Sequence, residues 1–181
     1  DRTNAVMISQ SSPAYYDSVI NGNVYTGANL LGTPVTTQAG LSTTTPALTL
    51  YNPVGSGVNL VLINCGVLVT TAPAANTGIC LAFNTQNSTP PSATTTASVT
   101  SAIIGTSAAP RGQCYRVATL AAAPTMFRAI GGVSGAATTS TYSMIFHPDG
   151  QVVVPPGVAI SIQSTTAVAV VCSFTWEEKA I

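Results

Sequence analysis

The last third of this chain alternates large apolar side chains with small or polar ones at every second position, and this period constrains what the rest can be. Val158, Ile160 and Ile162 alternate with Ala159, Ser161 and Gln163. Val168, Val170, Cys172, Phe174 and Trp176 alternate with Ala169, Val171, Ser173 and Thr175. Successive side chains of a strand point to opposite faces, so both segments predict strands of a sheet with one buried face. Gln151-Val-Val-Val followed by Pro155-Pro156-Gly157 reads as a further strand and its corner.

The remainder reads the same way. Thr, Val and Ile recur between Gly, Pro and Asn breaks, and β-branched residues suit pleated sheets better than helices. Strands are predicted at 24–25, 47–51, 60–70, 78–83, 100–104, 113–120, 126–130 and 141–146. Turns are predicted at Asn21-Gly22, Asn52-Pro53, Gly55-Ser56-Gly57 and Asp149-Gly150. Pro53, Pro73, Pro90, Pro91 and Pro110 break any long helix; residues 107–123 leave room for a short one, which Pro110 and Gly112 disfavour. Asn84 to Ser98 has no large apolar side chain and reads as an exposed loop, as do residues 132–141. Many short, evenly spaced strands argue for one all-β domain, an antiparallel sandwich or barrel, over residues 19–181. Residues 1–18 read as an extended N-terminal arm, with a short strand around Val6 to Ile8.

Charge narrows the function. The 181 residues hold five Lys and Arg, five Asp and Glu and one His, so 6% are charged and the net charge is zero; ordinary soluble domains have roughly 25%. Thr and Ser together are 44 residues. Five scattered cations do not make a nucleic-acid surface, which needs clustered Lys and Arg. The longest apolar stretch, Leu60 to Val69, is 10 residues, half the length of a membrane-crossing helix. A free monomer stays soluble with net charge of magnitude about 2–8; an uncharged skin suits a chain that buries much of itself in an assembly. The first residue, Asp1, reads as the start of a matured fragment or as what remains after leader removal, and no signal-peptide pattern follows it.

Catalytic chemistry finds little support. Cys65, Cys80, Cys114 and Cys172 have no CxxC spacing and no paired His, which disfavours zinc; in apolar runs they read as buried thiols, with a disulfide as the alternative. His147, the single histidine, lies in Phe146-His147-Pro148-Asp149-Gly150. This reads as a turn in which Asp149 bonds its own backbone; the competing reading is a hydrolase that pairs His147 with Cys114 or a serine. Glu177 and Glu178 are adjacent and so point to opposite faces of a strand, unlike a glycosidase pair. Gly55-Ser56-Gly57 and Gly131-Gly132 lack phosphate-loop spacing. No catalytic residue, cofactor site or metal site is expected, and the chain is read as not an enzyme.

Two features fit assembly. Ser173-Phe174-Thr175-Trp176-Glu177-Glu178 ends an aromatic strand in two acids. They fit an edge strand whose charges block pairing, or a subunit contact in which Trp176, Glu177 and Glu178 meet Arg116 or Arg128 of a neighbour. Tyr15 and Tyr16, on the arm, are of the type enriched at interfaces.

Four segments resemble a family of small tailed-phage virion proteins: Gly22 to Asn29, Leu50 to Leu62, Val154 to Val158 and Ser173 to Glu178. The resemblance implies a sandwich of jelly-roll type, trimeric, that coats or cements a capsid. On this basis the chain is expected to be a capsid decoration protein in the virion, with copies of itself and the major capsid protein as partners, no nucleic acid and no membrane. The alternative is a receptor- or glycan-binding head domain of a tail fibre, using the loops at 84–98 and 132–141.

Overall fold

The computed structural model describes residues 13–29, 32–87, 89–135 and 142–181. One short helix, α1 (Tyr16–Ile20), precedes β1 (Val24–Ala28), β2 (Val35–Thr36), β3 (Thr49–Tyr51), β4 (Val58–Val69), β5 (Thr77–Thr85), β6 (Ser92–Thr96) and β7 (Ser98–Ser101). Then come β8 (Gln113–Thr119), β9 (Thr125–Val133), β10 (Tyr142–Phe146), β11 (Val152–Val154), β12 (Val158–Ser164) and β13 (Ala169–Ala180). They form two antiparallel sheets, an all-β sandwich. One runs β10-β4-β13-β1-β7, with β11 also on β4 and β2 also on β13; the other runs β6-β8-β3-β12-β5-β9.

The long pair β4 and β13 shows how pattern becomes packing. Val170, Cys172, Phe174 and Trp176 of β13 point inward and are buried. On β4 the inward set is Val58, Leu60, Leu62, then Cys65, Val67 and Val69. The phase slips by one residue between Leu62 and Cys65, where two β4 residues face a single step from Thr175 to Trp176. This β-bulge lets β4 keep its apolar set on the core side. The opposite wall is Leu48, Leu50, Ile79, Leu81, Ile160 and Ile162.

The alternation in β12 is present, but its second face is not solvated. Ala159, Ser161 and Gln163 are buried, and the loop that carries Ser42 packs on Gln163. Gln163 Nε2 donates to Ser42 O at 3.2 Å and Ser42 N donates to Gln163 Oε1 at 3.3 Å. Ala121 N donates to Gln86 Oε1 at 3.0 Å. A polar face tolerates burial when neighbouring backbone meets its hydrogen bonds; these loops supply part of that backbone, and among the described residues Thr49 Oγ1 and Gln86 Nε2 are buried without a partner.

Other expectations also shift. The end of the arm is not extended at residues 16–18, which belong to α1, held where Ser18 Oγ donates to Glu177; the strand expected around Val6 to Ile8 lies outside the described residues. The stretch 84–98 is largely sheet: β5 runs to Thr85, β6 pairs with β8, and β7 starts at Ser98. Thr and Ser dominate these edge strands, with Ala93 in β6 and Val99 in β7, so pairing there rests largely on main-chain bonds rather than apolar burial. Gly132 and Val133 likewise close β9, while residues 136–141 lie outside the described residues. No helix forms over 107–123, where β8 takes the chain. β13 is no edge strand, because β4 and β1 flank it on both sides.

Candidate assembly surface

The C-terminal cluster is built from its own chain. Trp176 is 0% exposed and stacks on Tyr25 at 6.0 Å. Its indole Nε1 donates to Glu178 Oε1 at 3.4 Å. The Glu178 carboxylate also accepts from Arg111 N at 2.9 Å and Gly112 N at 2.8 Å, tying the loop before β8 to β13. Glu177, 3% exposed, lies on the opposite face, where it accepts from Ser18 Oγ and pairs with Lys179 at 2.5 Å. Trp176 and Glu177 therefore offer no area to a neighbour: the strand that carries them is central, so its inward ring enters the core and its outward acid is covered by α1.

Carboxylate acceptance from backbone N–H groups is charge-assisted and stronger than a neutral bond. Glu178→Ala should cost about 1.5–3 kcal/mol, whereas Glu178→Gln, which keeps an acceptor oxygen, should cost less than half as much. Urea titration of the two variants checks the order.

The remaining residues of interest lie apart. Tyr15 precedes α1 with φ 66° and is half-buried, and Tyr16 is exposed. Arg116, on β8, donates from Nη1 to Thr33 Oγ1 at 2.8 Å. Arg128, on β9, stands over the Phe146 ring at 4.9 Å, a cation–π contact that joins the edges of the two sheets. His147 is exposed in the turn between β10 and β11, which is made by main chain: Asp149 at φ 49° and Gly150 at φ 85°, with Gly150 N donating to Leu62 O at 2.9 Å. Among the described residues, no group of three His, Cys, Asp or Glu is placed to hold a metal.

What periodicity alone did not single out is the flank where β9 meets β11. Phe83, Phe127, Val152, Val153, Pro155, Val158 and Ile160 line an open apolar groove there. Met126 is 50% exposed, Phe127 51% and Val153 49%. β9 is the edge of its sheet and β11 lies at the edge of the other, so among the described residues neither has a partner strand on its outer side. The signal was present in the sequence: Met126-Phe127 and Val152-Val153-Val154 are consecutive apolar residues in strands, and a period of two must turn some of them outward.

The four cysteines are free thiols, three of them buried. Burial pushes the thiols of Cys65 and Cys114 up to about 12, and raises those of Cys172 and Cys80. At pH 8 a soluble maleimide should label Cys80 alone in the folded chain and all four after unfolding. Rapid labelling of Cys65 or Cys114 would contradict the packing. Because the folded-state values lie above the ordinary thiol value of 9.0, this contribution to stability is complete below pH 9 and fades as pH rises toward 12, where the unfolded chain ionises first.

No family model, no curated protein and no solved structure matches this chain.

Proposed function

We propose that this chain is a structural virion protein of a tailed phage, a homotrimeric decoration protein that cements the capsid by adhesion rather than chemistry. Its partners in this reading are copies of itself and the major capsid protein. The observation that carries it is the exposed apolar flank of Phe83, Phe127 and Val153 on a chain with only 6% charged residues. A contiguous apolar patch rimmed by polar residues marks an interaction site. Apolar burial at about 25 cal/mol per Å² then drives association, and a surface this short of charge opposes it little.

The fold is read as a jelly roll, and strand order supports this. β1 and β2, β13, β4, and β10 with β11 lie in that order in one sheet; β3, β12, β5 and β9 lie in that order in the other. Two Greek keys wound into a double sheet give this order, which supports the reading. β6, β7 and β8 form an excursion between β5 and β9 that widens both sheets at the flank opposite the groove.

Light scattering of the purified chain at micromolar concentration in physiological salt tests self-association, with a trimer expected. Imaging the native particle tests location, with density for this chain expected on the outer shell. A stable monomer, or density confined to a tail fibre tip, would overturn the proposal.

A further inference from the structure

Ile104 is 89% exposed, the most exposed large apolar side chain among the described residues. It stands at the tip of the turn that follows β7. Thr106 N and Thr106 Oγ1 both donate to Ile103 O, at 3.2 and 2.8 Å, and Gly105 takes the third turn position at φ 89°. Ile103 N donates to Ser101 Oγ at 3.2 Å, which ties the turn back to β7. Turn tips favour Gly, Pro, Asn, Asp and Ser, and an isoleucine so exposed gains almost no burial from its own chain. The hydrogen bonds hold it as a fixed knob, so little further ordering is needed when another surface covers it.

The apolar groove where β9 meets β11 lies across the sheet from this knob, at the same height. Val153 pairs with Val61, Val61 with Glu177 and Glu177 with Val24, and Ala102 N donates to Val24 O. These five residues form one rung. Groove and turn therefore flank the sheet at one level, about 19 Å apart at four strand spacings. The groove has a volume of about 270 Å³, below the roughly 300–1,000 Å³ of small-molecule pockets, which suits a protruding side chain. Neither residues 98–110 nor the groove lining holds a charge, so joining the two surfaces desolvates no ion.

We propose that Ile104 of one copy seats in the groove of Phe83, Phe127 and Val153 on the next copy. Knob and groove are different surfaces at opposite edges of one sheet, so the contact is head-to-tail. Because both lie on one rung, the step from copy to copy carries little rise along the strands. A head-to-tail contact of that kind closes into a ring instead of climbing into a filament. This contact rests on the self-assembly proposed above and supplies the second surface of its interface.

Light scattering of the full chain with Ile104→Asp, at micromolar concentration, is the first test. The variant should keep the circular dichroism of the parent chain and associate at least tenfold more weakly. Undiminished assembly overturns this contact and leaves the assembly reading standing, whereas a monomeric parent chain overturns both. The second test is cross-linking of the full chain with Cys80→Ala, which removes the half-exposed thiol. Oxidised glutathione takes up the two hydrogens as each disulfide forms. Ile104→Cys with Val153→Cys cannot close within one chain, because the two positions lie too far apart. This pair should give covalent dimers and trimers at least tenfold faster than Ile104→Cys with Thr119→Cys, an exposed position on β8, read on non-reducing gels. Equal rates overturn the contact, and so does rapid dimer formation by Val153→Cys alone, which would set two grooves face to face.

Discussion

Replacing Trp176 by Ala is expected to destabilise the chain by about 3–5 kcal/mol, the range for removing a large aromatic from a packed core. At about 2–4 °C per kcal/mol for a domain of this size, the melting temperature should fall by roughly 6–20 °C. Two glycines place the cost toward the upper end. A Cβ on Gly27 would lie 3.2 Å from the Trp176 ring, and one on Gly112 would lie 3.2 Å from its Nε1. The indole therefore rests against bare backbone on two sides, in β1 and just before β8. Backbone held in a ladder does not collapse into a cavity as a flexible side chain would, so the void persists. Trp176→Phe, which keeps most of the apolar area, should cost well under half as much. Thermal and urea denaturation of both variants check this; a loss below about 1 kcal/mol for the alanine would mean that Trp176 is not the centre of the core.

The second large effect is on association. Met126→Asp with Phe127→Asp is expected to weaken self-association at least a hundredfold, about 2.7 kcal/mol or more, and to leave a monomer at micromolar concentration. Both side chains are half-exposed on an edge strand, so the monomer loses little by their removal. In an assembled flank, by contrast, each carboxylate would be desolvated without a partner. Light scattering reads the assembly and circular dichroism the fold. A folded double variant that still assembles fully would move the interface away from this flank.

Much of the architecture was legible in the order of residues. The alternations over 158–164 and 168–176 mark β12 and β13 because a strand has one geometric period and a buried face exposes it. The prolines and glycines that end strands act locally, so the turns are legible from the residues themselves. Strands held by main-chain pairing alone escaped: β6, Ser-Ala-Thr-Thr-Thr, has nothing apolar to signal it. Of the assembly candidates, Arg128 stands over the Phe146 ring where the edges of the two sheets meet. Trp176 and Glu177 instead belong to the interior of their own chain, since an aromatic strand ending in acids looks alike at an edge or at the centre of a sheet.

The residue pattern by itself determined that the chain forms strands, where most of them turn, and which side chains of each strand share a face. Tertiary structure alone decided which faces are covered twice, as on Ser161 and Gln163, and which are left open, as on Met126 and Phe127. Periodicity is a property of neighbours along the chain, whereas burial depends on which segments, distant in sequence, come to lie on top.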